Sequence, residues 1–340
     1  MPRRSLTASL VLALLGTALA GGPAQAGGPA SAGPDGAAQA AARAATRQVA
    51  AGHAVIAGRR VTDARTAQRL IEAYWTPARM RAAVPVDKPA PADRTARERA
   101  DRPGRVGRAH AAAQPIGPRT TSPTRQAVNA SPGVGKVFFT ANGKNYVCSG
   151  STVNNPAKNL VSTAGHCVHG GKGGTWHSNW AYVPGYRDGS APFGVWAAKE
   201  FTSVKGWTKW SFSWWDFAFV TMWTNNGQKL VHRTGGHGIS FNYPKNIPIT
   251  LLAYPSAAPF TGQVQIYCQG SMYPKGVQQV GFTCLMTKGS SGGPFLRAYD
   301  NTLRFGYVNS NIAHGPDDKS YGPYFDDDVA HIYAVAKHKS

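Results

Sequence analysis

From Val134 onward the apolar residues come in short runs separated by Gly, Pro and Asn, a pattern of many short strands rather than of helices. Two of these runs, Val137-Phe138-Phe139 and Tyr146-Val147-Cys148, flank Asn142-Gly143, a dipeptide that tolerates the positive φ angles of a two-residue hairpin turn. Further strands are expected at residues 160–163, 217–220, 249–252, 263–268 and 303–308. The chain closes on a helix, because Val329, Ile332, Tyr333 and Ala336 repeat at helical spacing after the acidic stretch 326–328 and before Lys337 and Lys339. Capping of that helix accounts for the three aspartates better than calcium does, since the glycine and downstream Glu of a calcium loop are missing.

Before about residue 125 the pattern is different. Arg3 and Arg4, an apolar run over 6–19 and the small-x-small triplet Ala24-Gln25-Ala26 predict a secretory signal peptide over residues 1–26. Residues 27–125 are rich in Ala, Arg, Pro and Gly and hold too few large apolar side chains to offset the entropy of ordering a domain of their own. They are expected to form a low-complexity pro-segment ending between about residues 119 and 133, with Arg119 and Arg125 as candidate processing points. One amphipathic helix interrupts it: Thr62-Asp63 supplies an N-cap, Leu70, Ile71, Tyr74 and Trp75 share a side, and Pro77 stops it. Such a helix is expected to dock on the following domain, residues 126–340, as an inhibitor or folding aid, the alternative being a solvated linker.

Composition sharpens this division. The 340 residues carry 37 basic and 16 acidic side chains, a net charge of +21, but 19 basic and 7 acidic residues lie in 1–125 together with only two aromatics, Tyr74 and Trp75. More than half of the charge belongs to the segment expected to be removed, so the basic balance does not argue for nucleic acid as a partner. Beyond the N-terminus no apolar stretch approaches the ~20 residues that span a bilayer. Export leads to an oxidising compartment, where the four cysteines are expected as two disulfides, with three connectivities open.

Acyl transfer to water needs an activated nucleophile, a base, a group to orient the base, and donors for the developing oxyanion. Residues 126–340 offer Thr163-Ala164-Gly165-His166-Cys167 after one strand, Trp215-Asp216-Phe217-Ala218 at the mouth of another, and Lys288-Gly289-Ser290-Ser291-Gly292-Gly293-Pro294 as a glycine-rich turn. Together these motifs resemble the trypsin/chymotrypsin-like serine peptidases, in which the order is also His, Asp, Ser. The resemblance implies an all-β fold of two antiparallel six-stranded barrels with a C-terminal helix. It implies His166 as base, Asp216 as orienting carboxylate, Ser291 as nucleophile, and the N–H groups of Gly289 and Ser291 as the oxyanion hole. It also favours pairing Cys148 with Cys167, around the histidine loop, and Cys268 with Cys284. No metal or organic cofactor is implied. Polypeptides are the expected substrates and the pro-segment the expected partner; the protein is expected to be secreted and to act as a monomer.

The motifs depart from the family in informative places. Ser290 stands where animal digestive enzymes carry the Asp that pairs with a new N-terminus, which points to the secreted bacterial glutamyl-endopeptidase-like branch. Leu285 falls near the position that is Asp in enzymes cutting after Arg or Lys, so Leu285 and Met286 are candidates for an apolar pocket floor. Asn309 falls about where glutamyl-specific relatives place a His, Ser310 matches a family serine beside the triad carboxylate, and His314 is a further candidate for a substrate carboxylate. The aromatic run Trp207, Trp210, Phe212, Trp214 and Trp215 is expected mainly as packing. Rival readings are a catalytically silent homologue that binds anionic surfaces and an α/β-hydrolase esterase with Ser291, Asp317 or Asp326, and His331. The latter is opposed by Pro294, which spoils a helix after the serine, and a zinc hydrolase by the lack of His-Glu-x-x-His.

Overall fold

Val49–His53 forms the first strand, β1, followed by a small hairpin of β2 (Val55–Ile56) and β3 (Arg59–Arg60). Asp63 then caps helix α1 (Ala64–Tyr74), its Oδ1 accepting from Thr66 N at 2.9 Å, and Thr76 caps a second short helix, α2 (Pro77–Ala82), with Pro77 in its first turn. Two short strands complete this part, β4 (Val84–Pro85) and β5 (His110–Ala113). The structure, a computed structural model, describes residues 48–86, 106–117 and 128–340, all within one compact unit, Ala41–Ser340. The expected signal peptide and the candidate processing points Arg119 and Arg125 lie outside the described residues.

The N-terminal segment is therefore packed more thoroughly than its composition suggests. It has no core of its own, but Ile56, Ile71, Trp75 and Met80 are buried in a cluster most of whose other members, Phe138, Val183 and Tyr186 among them, come after residue 127. Burial against a ready-made surface supplies the hydrophobic gain that the segment alone lacks.

The first barrel is built from β6 (Val134–Ala141), β7 (Lys144–Val153), β8 (Leu160–Thr163), β9 (Ser178–Pro184), β10 (Trp196–Val204) and β11 (Ala218–Met222). The ladder runs β10-β11-β8-β7-β6-β9 and closes by pairing β9 with β10, every step antiparallel. Asn142 and Gly143 turn the β6–β7 hairpin at φ 49° and 74°, with Ala141 opposite Lys144. Alternate residues point inward, so Val137, Phe139, Val161, Trp180, Tyr182, Phe201 and Val220 fill the interior.

Two short helices, α3 (Lys205–Thr208) and α4 (Leu230–Thr234), lie in the connections around β11. Beyond them follow β12 (Gly238–Phe241), β13 (Pro248–Ala253), β14 (Ile266–Ser271), β15 (Tyr273–Lys275), β16 (Gln279–Thr283), β17 (Pro294–Asp300), β18 (Phe305–Asn311) and β19 (Lys319–Pro323). Six of them, β13, β14 and β16 to β19, make the second barrel as two ladders, β14-β13-β17-β18 and β16-β19. A His314–Tyr321 bridge joins the ladders on one side, and the Cys268–Cys284 disulfide ties them on the other. Ile249, Leu251, Val280, Phe282, Met286 and Phe295 form the interior. β12 extends β18 in parallel, and β5 of the N-terminal segment pairs with β12.

The terminal helix α5 (Asp327–Ala336) buries Val329, Ile332, Tyr333 and Ala336, and Asp326 caps it by accepting from Asp328 N and Val329 N. Ser291 is followed by strand β17 rather than a helix, which removes the α/β-hydrolase reading. Among the described residues no helix is long and apolar enough to cross a membrane.

Candidate active site

His166 sits on a single 3₁₀ turn, Gly165–Cys167, directly after β8, and Asp216 follows another, Ser213–Trp215, directly before β11. Since β8 and β11 are neighbours in the ladder, with Thr163 opposite Ala218, the two turns meet at one end of the first barrel. Gly165 makes this approach possible, because a Cβ there would lie 2.8 Å from the Trp207 ring and 3.0 Å from Asp216 Oδ1. The fully buried Asp216 carboxylate takes two hydrogen bonds from one residue: His166 N donates to Oδ1 and Nδ1 pairs with Oδ2, both at 2.7 Å. An ionised carboxylate accepts only, so this pair places the proton on Nδ1 and leaves Nε2 with its lone pair.

Ser291 comes from the second barrel's turn between Met286 and β17, and backbone bonds stitch that turn to the first barrel. Ser149 N donates to Ser291 O at 2.7 Å, and Ser149 Oγ donates to Gly289 O at 3.1 Å. Gly292 N donates to Ile312 O at 2.7 Å, while the adjoining Asn311 reaches back with Nδ2 to Asp216 O at 3.2 Å. The loop after β18 thus holds the serine turn and the aspartate in one frame. Gly289 has φ +93°, a left-handed conformation suited to glycine, and a Cβ there would fall 2.8 Å from Ser256. Among the described residues, the N–H groups of Gly289 and Ser291 take no acceptor, and Ser291 Oγ and His166 Nε2 make no hydrogen bond. Apo sites often leave the nucleophile–base bond open until substrate arrives.

No known family model matches the sequence. Among solved structures, the thermostable serine protease AL20 from an extremophilic microorganism aligns with a TM-score of 0.59 at 33% identity, covering 62% of this chain and 99% of that one. The protease Anisep from Arthrobacter nicotinovorans aligns at 0.58 and 37% identity over 62% of this chain and 97% of its own. The chain belongs to the trypsin-like serine peptidases. A Glu endopeptidase in complex with MPD shares the fold, with a TM-score of 0.51 and 19% identity over 67% of this chain and 99% of that one. Among curated proteins, an extracellular metalloprotease of Bacillus subtilis strain 168 is 36% identical over 94 residues, which is 28% of this chain and 27% of that protein.

The donor chemistry of this peptidase can be set against that last name. Among the described residues, Cys148, His166 and Cys167 form the group with metal-ligand spacing, but the two sulfurs are joined to each other in a disulfide. Only one nitrogen is left as a strong ligand, so the group does not fit a metal. The disulfide pairs are those the family resemblance favours, Cys148–Cys167 and Cys268–Cys284.

The candidate pocket residues are more scattered. Leu285 is 45% exposed, whereas Met286 points into the second barrel's core. Asn309 is turned to Ser240, whose Oγ donates to its Oδ1 at 3.0 Å, and Ser310 Oγ donates to Pro323 O at 2.7 Å. On this strand the residue that reaches Asp216 is thus Asn311, which sequence reasoning did not single out. His314 is buried, with Nε2 at 2.6 Å from Gln279 Nε2, and Gln279 in turn contacts Ser213 Oγ on the turn before Asp216. Trp207, Trp214 and Trp215 are packed as expected, but Trp210 is 51% exposed and heads a stack with Phe212 and Trp214.

Beneath the histidine loop lies a support that the motifs do not announce. His177 Nε2 donates to His166 O at 3.0 Å, and its ring stacks on Phe139 with centroids 4.5 Å apart. Burial holds its pKa down from 6.5 to about 4, so it remains a neutral donor. A separate cavity of about 520 Å³ is lined by Tyr186, Arg187, Phe193, Gln265 and Arg304, none of which belongs to the candidate site.

Proposed function

We propose that this peptidase is a secreted serine endopeptidase, made as a zymogen, that hydrolyses peptide bonds through Ser291, His166 and Asp216. Ser291 Oγ attacks the scissile carbonyl carbon as His166 Nε2 takes its proton. The carbonyl oxygen becomes an oxyanion facing the N–H groups of Gly289 and Ser291, while Asp216 stabilises the imidazolium. Collapse breaks the C–N bond with His166 protonating the leaving amine, and water, activated by the same nitrogen, releases the acyl group and restores Ser291.

The reading is carried by the double hydrogen bond from His166 to the buried Asp216 carboxylate, because it fixes the tautomer that a general base requires. Export is supported by the two disulfides and by the N-terminal sequence pattern. The test is labelling of the chain and its Ser291→Ala variant with a serine-directed phosphonofluoridate, read by intact mass. One adduct on the wild type alone, with turnover of a peptide library falling about 10⁶-fold in the variant, is expected. Folded wild type that takes no adduct would favour the silent, surface-binding homologue instead.

A further inference from the structure

The N-terminal segment is joined to the rest of the protein as an internal element would be. β1 pairs with β10 over five residues, Val49 opposite Val204 to His53 opposite Glu200. The ladder is extended at its ends by Lys205 N donating to Gln48 O at 2.8 Å and Ala54 N donating to Lys199 O at 3.1 Å. Gly52 lies so close to Trp176 that a Cβ would stand 2.5 Å from the indole. From α1 and its C-cap, Ile71 and Trp75 enter the core beside Phe138, and Trp75 Nε1 donates to Asn179 O at 2.6 Å. Asn179 Oδ1 accepts from Ala57 N at 2.7 Å, and Val195 O accepts from Gln68 Nε2 at 2.8 Å.

A second set of contacts comes from β4, β5 and the residues that follow β5. β4 pairs with β7 on the first barrel, whereas β5 pairs with β12 beyond the second. Ile116 exchanges two backbone bonds with Gly236 at 2.8 and 2.7 Å, and Asn154 Nδ2 donates to Gln114 O at 2.7 Å. None of the hydrogen bonds named above goes to His166, Asp216, Gly289 or Ser291. Their partners lie on β7, β9, β10, β12 and the loops beside them and not on the triad residues, whose Ser291 Oγ and His166 Nε2 are themselves buried while the segment is bound. Departure of the segment would take the Trp75 donor from Asn179 O, leave Val195 O with Asn225 Nδ2 alone and expose Phe138, all unfavourable.

We propose that residues 48–86 and 106–117 stay bound when the chain is cut in the stretches between them and the peptidase domain, so that the processed protein is a non-covalent assembly of its own fragments. The stretches 87–105 and 118–127 lie outside the described residues and carry Arg94, Arg97, Arg99, Arg102, Arg105, Arg119 and Arg125. A cut in either leaves every contact named above in place. The proposal goes beyond the endopeptidase reading and stands independently of it, since it is tested on a chain that lacks the nucleophile.

The test uses the full chain carrying Ser291→Ala, with the recognition sequence of a site-specific protease inserted into each of the two stretches. After cleavage, the fragments are run on native size exclusion and identified by intact mass. Co-elution of all fragments, with separation only in denaturant, is expected. Elution of residues 128–340 without the N-terminal fragments would overturn the proposal, whether or not that domain stays folded. A Trp75→Ala version should release its 48–86 fragment at least about tenfold faster, since it loses both a buried ring and the bond to Asn179; unchanged release would mean that the fragments are held by something other than this surface.

Discussion

Asp216 gives both carboxylate oxygens to one histidine, which makes Asp216→Asn the most informative single change at the site. An amide brings one donor where an acceptor stood, so the imidazole is driven to the tautomer with its proton on Nε2, where it can no longer take one from Ser291. Turnover at neutral pH should fall about 10⁴-fold with the fold retained, read as kcat against thermal melting. An undiminished kcat would take the orienting role from Asp216. Lys136 is a residue of another kind: it is 2% exposed, its ammonium donates to Gly262 O at 2.8 Å, and burial pulls its pKa from 10.5 down to about 8. Between those values the unfolded chain binds more protons than the folded one, so this lysine makes the protein more stable as pH rises. From about pH 7 to about pH 10 wild type should gain roughly 2 kcal/mol over Lys136→Met in urea unfolding, and a constant difference would refute the burial effect. His166, Asp216 and Ser291 could be singled out because each sits in its own local motif, and the structure brings His166 and Asp216 into contact. Lys136 and Asn311 could not be, since their partners lie 126 and 95 positions away and a sequence window shows neither.

Elements were legible where the signal is local and weaker where it is not. The Asn142-Gly143 hairpin, α1 with its Asp63 cap and α5 with its apolar face formed where the pattern placed them, because turn chemistry, capping and periodicity act over a few residues. The strand expected from residue 263 starts at Ile266, and the parallel pairing of β12 with β18 had no sequence signal, since its partners are about 70 positions apart. The packing of the N-terminal segment was hidden for the same reason: its apolar residues are too few for a core, and only the barrel they complete makes their burial worthwhile. Capping of α5 gives a test at this scale. Asp326 is 5% exposed and satisfies two N–H groups of the first turn, so Asp326→Ala should cost about 1 kcal/mol in urea unfolding, with Asp326→Ser recovering most of it. Equal loss in both variants would place the aspartate's contribution outside the cap.

At the scale of the whole molecule, three buried histidines tie stability to pH. His169 and His177 flank the His166 loop, and His237 is wedged at the edge of the second barrel, where Ser131 Oγ meets its Nε2 at 3.1 Å and Gly306 N donates to its Nδ1 at 3.2 Å. Burial lowers His169 and His177 from 6.5 to about 4 and His237 to about 3. A ring that accepts a bond from Gly306 N at Nδ1 has no place there for a second proton, which agrees with a neutral His237. Below pH 6.5 the unfolded chain therefore takes up protons that the folded one refuses, and folding stability falls. The stabilisation is whole above about pH 6.5 and is lost as the pH drops through about 4, with the fully buried His237 contributing up to about 1.4 kcal/mol per pH unit in that window and the less enclosed His169 contributing less. The urea midpoint should therefore decline steadily from about pH 6.5 to pH 4, before most carboxylates are protonated. His177→Gln, which keeps a donor for His166 O while removing the titration, should flatten that slope. A midpoint insensitive to pH across the window, or a slope unchanged in the variant, would mean that these rings accept protons inside the fold, and the neutral support under His166 would have to be abandoned.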